Sequence, residues 1–290
     1  MTTPKFEKQN HHYVPQHWQR MFRDNGNQLY GRTKSNVRIV STKKTMQIDW
    51  LYTIFDDQWR PSDALEDAFS VDERFDDQLL KRLDAPGYVP TADDEAQLCA
   101  LLGSQASRHP DVLQRGRTLS REFGVILASA HDHTLHSFQD LCVQHGISPS
   151  EAQDCYLTLK TRTKEQLAAE LANMLQLSPQ SPQLPVQDAI RAAPHIEAAI
   201  AGMQLCLIDA LLPLAFVLGD TPIPQSDLGL GFSVPLSKSL AVIATPAGIT
   251  KSPMTRRMAT QQEVDAINRT QFDNALDTVV GPSAVLLRSL

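Results

Sequence analysis

A chain of 290 residues, 42% hydrophobic and 21% charged, is long enough to bury a sizeable core and too apolar for whole-chain disorder. Its formal net charge of −6 excludes a global field that attracts nucleic acid, while a local basic groove stays open. Cys99, Cys142, Cys155 and Cys206 form no CxxC pair and read as reduced, buried thiols.

The opening MTTPKFEKQNHH lacks the charged and then apolar run of a secretory signal, so the expected compartment is the cytoplasm. In the stretch NHHYVPQHWQRMF, Pro15 suits the first turn of a short helix running to about Arg23, where its missing N–H costs nothing. Asn25-Gly26 is a turn signal. The runs Gln28 to Arg32 and Val37 to Ser41 then read as a hairpin. Ser62 to Leu83 carries Leu65, Phe69, Phe75, Leu79 and Leu83 near helical spacing, and Thr91 followed by Asp94 caps the next helix, which stops before Pro110.

Two further helices are predicted, from about Leu119 to Gln144 and from Ser150 to Leu175. Ser178 to Pro194, with four prolines, reads as a loop or linker. The apolar run Ala199 to Gly219 approaches the length of a membrane span. It carries Gln204 and Asp209 and lacks basic flanks, so it reads as a buried helix leading into a buried strand. Leu214 to Leu218 and Leu240 to Thr245 are β-type runs, and Thr260 to Val280 is a final helix. The fold expected is α+β: a predominantly helical single domain over residues 1–290, with a small antiparallel sheet and a Pro-rich segment near 178–194.

Function is sought where polar side chains interrupt faces that periodicity would bury, because burying an unpaired polar group costs about 1–3 kcal/mol. Leu98, Leu101 and Leu102 set a stripe that Gln105 and Arg108 continue; either these line a site or the helix end emerges into solvent. Asn268 and Gln271 fall on the inner face of the final helix and line a site or bond nearby backbone. Glu66 and Glu73, seven apart, share a helix side and suit a divalent metal, a base, arginine partners or plain solvation. Gln16 and Arg20 stack one turn apart with His12 just before the helix. That set suits an anion at a helix N-terminus, or a packed helix with a satisfied His. The string HDHTLH, from His131 to His136, reads as solvated rather than as a zinc site.

These segments together resemble the bacterial domain of unknown function 4238. The resemblance rests on HHYVPQHWQRMF, on Glu66 and Glu73, on QASRHP at Gln105 to Pro110, on GDTPIP at Gly219 to Pro224, on PLSKSLAVI at Pro235 to Ile243, and on Asn268. This chain departs from the usual family pattern in having Arg20-Met21-Phe22 where Arg-Asn-Phe is common, and Gly219-Asp220-Thr221-Pro222 where Ser-Asp-Asn-Pro is common. The resemblance implies that the scattered polar residues belong to one site. His12, Glu66, Glu73 and Asp220 would be its catalytic groups, and Gln16, Arg20, Gln105, Arg108 and Asn268 would bind substrate. That composition suits a hydrolase of a phosphate-containing small molecule or nucleic acid, with a divalent metal as an optional cofactor and a toxin or phage-defence role as its setting. The rival is a non-catalytic or small-anion-binding module whose polar network pins the N-terminal helix.

Overall fold

The computed structural model describes residues 10–33, 36–49, 51–52, 54–55, 61–62, 64–110, 129–144, 147–167, 183–224, 227–248 and 250–290. In chain order, the first elements are β1 (Asn10–His12), α1 (Gln16–Arg20), β2 (Leu29–Thr33), β3 (Asn36–Val40), β4 (Gln47–Asp49), β5 (Ile54–Phe55) and β6 (Pro61–Ser62). Two long helices follow, α2 (Ala64–Asp84) and α3 (Ala92–Ser107), and then α4 (Leu135–Gln144), α5 (Pro149–Lys160) and α6 (Gln183–Ala201). The last third holds β7 (Gln204–Asp209), β8 (Leu218–Gly219), β9 (Phe232–Pro235), β10 (Leu240–Thr245), β11 (Thr255–Met258), α7 (Gln261–Asn274), β12 (Thr278–Gly281) and α8 (Ala284–Ser289).

The α+β class holds, but the expectation of a predominantly helical domain with one small sheet is corrected. The described residues form two four-stranded sheets, ordered β11-β7-β10-β9 and β3-β2-β12-β8, and two two-stranded ones, β1-β4 and β5-β6. β11 runs parallel to β7, so the larger sheets are not all antiparallel. Most strands in the last third are two to four residues long. That is too short for alternation to declare them, and an apolar run such as Leu205 to Ile208 fits a helix or a buried strand equally well.

The chain divides into two compact units, Met1–Val112 with Ala189–Leu290, and Leu113–Asp188. In the larger unit, Leu79, Leu80 and Leu83 of α2 and Leu98, Leu101 and Leu102 of α3 are buried, as are Leu205, Leu207 and Ile208 of β7 and Leu240 to Val242 of β10. Phe75, expected on the inner stripe of α2, is 63% exposed. α3 meets α6 at Gly103, where a Cβ would stand 2.9 Å from the backbone N of Glu197 and 3.0 Å from the carbonyl O of Ala193. The sheet β3-β2-β12-β8 packs Val217 and Val279 against Leu287 of α8.

The smaller unit has its own core of Ala130, Phe138, Cys142 and Ala152. The helix expected from Leu119 to Gln144 is interrupted in its described part, which has a 3-10 turn at Ser129–Asp132 and α-helix from Leu135; residues 119–128 lie outside the described residues. The unit's second helix ends at Lys160, with a further helical turn at 164–167; residues 168–175 lie outside the described residues.

Residues 183–194, expected in a loop or linker, are helical instead. Pro185 stands in the first turn of α6, where no intrahelical N–H is needed, so it does not break the helix. Residues 178–182 lie outside the described residues. The run Ala199 to Gly219 ends α6, forms β7 and turns back through a cis Leu212-Pro213 bond. Among the described residues no helix is long and apolar enough to cross a membrane.

Candidate active site

β1, α1, the turn at Leu51 and Tyr52, the middle of α2 and the C-terminal cap of α3 bring one polar cluster together. Its centre is Glu73. Arg108 Nη2 donates to Glu73 Oε1 at 3.0 Å, and His17 Nδ1 lies 3.8 Å from Oε2. Arg108 is 5% exposed, against 26% for the Glu73 side chain, so the ion pair joins a buried cation to a partly exposed side chain.

Aromatic rings wall in the guanidinium. Its carbon stands 4.1 Å from the Phe69 ring centre and 5.7 Å from that of Tyr52, close enough for cation–π attraction. The Tyr52 hydroxyl donates to the Arg108 carbonyl at 2.7 Å, and burial pushes its phenol far above the ordinary range. Tyr52 is held from the other side by His11, whose Nδ1 accepts its backbone N–H at 2.7 Å while the two rings stack. His11 is therefore a fully buried positioning group.

For Glu73, burial alone would raise the pKa. His17 and Arg108 outweigh that, and the carboxyl is held below the usual glutamate range. His12 is half-buried, and its Nε2–H donates to the Thr42 carbonyl at 2.9 Å, which leaves Nδ1 as the lone-pair nitrogen. Burial lowers its pKa below 6.5, with Arg108 and Arg20 acting in the same direction and the Thr42 carbonyl and Glu73 against it. At pH 7 His12 is neutral.

The structure thus places His12, Glu66, Glu73 and Arg108 in one electrostatic neighbourhood, with Glu66 part-buried and acting on both Tyr52 and Arg108. Arg20 is exposed, and its charge is felt at His12. Gln16 is half-buried and accepts from Thr42 Oγ1 at 3.4 Å. Three other candidates are committed to backbone elsewhere. Gln105 donates to the Tyr13 carbonyl at 2.7 Å. Asn268 accepts from the Val217 N–H and donates to the Ala215 carbonyl, both at 2.9 Å.

Asp220 accepts the N–H groups of Leu276, Asp277 and Thr278 at 2.8–2.9 Å, with the Tyr13 hydroxyl at 3.4 Å. Burial raises its pKa and these backbone donors pull it down, with burial ahead. His11, His17, Tyr52 and Phe69 are the members of the cluster that the sequence reading missed. His17 stands next to buried Trp18 in α1 and is itself buried, but neighbouring positions on a helix point in different directions, so the stripe of Trp18 gave no signal for it. Tyr52 carried none.

Among the described residues, no group of three or more His, Cys, Asp and Glu side chains is arranged to hold a metal ion. His131 Nε2–H donates to the Arg162 carbonyl at 2.7 Å, and His136 faces Asp140 on an exposed helix side. A family model described as a protein of unknown function, DUF4238, matches residues 10–284. The chain belongs to the DUF4238 family. The match begins at the first residue of β1 and takes in each element of the Glu73 cluster, so the cluster lies wholly within the DUF4238 region. No curated protein and no solved structure matches the chain.

Proposed function

We propose that this DUF4238 chain is a cytoplasmic hydrolase of a phosphate-containing substrate, a nucleotide or a nucleic acid. The observation that carries this reading is the state of Glu73: an ionised carboxylate, oriented by a buried arginine and beside an imidazole, on a side chain that is partly exposed. Such a group is unprotonated at neutral pH and so has a lone pair with which to accept a proton from water. Neutral His12, with Nδ1 free to accept, passes that proton on, and exposed Arg20 meets the anion of the substrate at the rim. Arg108 is a positioning residue, because its guanidinium donates to Glu73 through Nη2 and lies against the two aromatic rings.

The test is turnover of a panel of phosphomonoesters, phosphodiesters, nucleotides and nucleic acids by wild type and Glu73→Gln, with and without added magnesium or manganese. A general base contributes about 10²–10⁴-fold. Glu73→Gln should therefore lose at least about 100-fold in kcat while keeping its circular dichroism spectrum and a cooperative melting transition. Unchanged turnover in that variant, or none by wild type anywhere in the panel, would sink the proposal. A toxin or defence role predicts growth arrest on expression of wild type and not of Glu73→Gln.

The structural rival is favoured by one observation: Gln105, Asp220 and Asn268 each bind backbone from a distant part of the chain. Under that rival the N-terminal segment is pinned and nothing is cleaved, and substitutions at Glu73 would change stability alone.

A further inference from the structure

Among the described residues, three buried polar atoms around Glu73 have no hydrogen-bond partner: Nδ1 and Nε2 of His17, and Nε of Arg108. His17 is 4% exposed and Arg108 5%. A neutral imidazole carries one N–H and one lone pair, and a protonated one carries two N–H groups. In either state His17 brings at least one donor into the interior that no group among the described residues accepts, and buried polar groups left so are rare in folded proteins.

The distance to the carboxylate is informative. His17 Nδ1 and Glu73 Oε2 stand 3.8 Å apart, beyond a direct hydrogen bond and within the span that one water oxygen bridges at ordinary lengths on each side. Arg108 Nε supplies a further donor beside the same carboxylate. Charge selects the occupant: an anion would stand against Glu73, whose charge Arg108 already balances, whereas a water accepts from the imidazole and donates to the carboxylate at no electrostatic cost.

We propose that His17 and Glu73 hold a single ordered water between them, and that this water is the nucleophile of the reaction. Its placement stands on the geometry alone; its role rests on the hydrolase reading above. In the step, the water gives one proton to Glu73, its oxygen forms the new P–O bond, and the P–O bond to the leaving group breaks with both electrons going to the leaving oxygen. That oxygen takes a proton from bulk water, and Glu73 returns its own through His12, so one water is consumed. His17 needs no net proton change; it orients the lone pair.

The experiment is a crystal structure of the full chain that shows ordered solvent, for wild type, His17→Phe and His17→Gln, with turnover measured on the same three proteins. We expect a water peak within about 3.2 Å of a His17 nitrogen and of Glu73 Oε2 in wild type. The peak should vanish in His17→Phe with at least about a 10-fold fall in kcat, and the amide of His17→Gln should recover part of both. A dry contact, or density that proves to be a halide or phosphate, would overturn the water site even if turnover is found. Water in place with no turnover by wild type would instead remove its role as nucleophile together with the hydrolase reading. Should His17→Phe fail to fold, the wild-type density and the His17→Gln pair decide the matter.

Discussion

Asp94 shows how much one carboxylate holds in this chain. It accepts from Arg82 Nε and Nη2 at 2.9 and 2.7 Å, from the Tyr88 hydroxyl at 2.7 Å, and from the Thr91 N–H and hydroxyl at 2.9 and 2.8 Å. Burial works to raise its pKa, but these donors outweigh it and bring the carboxyl down to about 2 from its ordinary 3.8. A depressed acid stabilises the fold above its unfolded pKa and loses that contribution as pH falls through the folded value. Wild type should thus lose stability between about pH 4 and pH 2 more steeply than Asp94→Asn, as urea titrations across that window would show. Glu73 obeys the same sign, with its contribution present at neutral pH and lost on acidification. Glu73→Ala strands the Arg108 cation and should cost about 3 kcal/mol in urea denaturation, whereas Glu73→Gln, which keeps an acceptor, should cost less. If His12 accepts a proton during turnover, activity should fall as pH drops through a value below 6.5; a profile flat to pH 4 would exclude that role.

At the scale of elements, the helices are defined by their ends and by how closely they approach. α3 and α7 both begin with a capping box, Thr91 with Asp94 and Thr260 with Glu263. Thr260→Ala should cost about 1 kcal/mol of stability. α3 can lie against α6 only because Gly103 has no side chain, and the atoms a Cβ would meet there are backbone, which cannot rotate away. Gly103→Ala should therefore destabilise by about 1–3 kcal/mol, despite alanine's better helix propensity. An unchanged midpoint in urea would mean that the helices separate freely. The ends of these helices were readable because capping is local chemistry, whereas the approach at Gly103 involves a helix about ninety residues further along.

Over the larger unit as a whole, buried polar side chains act as long-range ties to backbone. Asn268 and Gln271 of α7 hold the segment from Ala215 to Pro222, and Asp220 returns the contact by holding Leu276 to Thr278. Trp18 Nε1 donates to the Pro235 carbonyl at 3.1 Å, joining α1 to the sheet. Arg256 clamps Asp209 through two nitrogens and also donates to the carbonyls of Leu83 and Tyr88. Asn268→Ala leaves an N–H and a carbonyl buried together and should cost upwards of about 2 kcal/mol. A substrate-binding role would show the opposite signature, a raised KM with an unaltered melting temperature.

The sequence by itself determined which faces are buried and where they turn polar. The hairpin of β2 and β3, the bodies of α2 and α3, β10 and the start of α7 follow from local periodicity and caps, and the interruptions at Glu73, Arg108 and Asn268 are visible as polar residues on apolar stripes. What each interruption meets was decided only by the tertiary structure. Asn268 and Gln105 find carbonyls, Arg108 finds Glu73, thirty-five residues earlier, and His17 finds that same carboxylate at a distance too long for a direct bond. Periodicity reports that a side chain points inward. The partner waiting there belongs to another element, and its position is set by packing that no local pattern encodes.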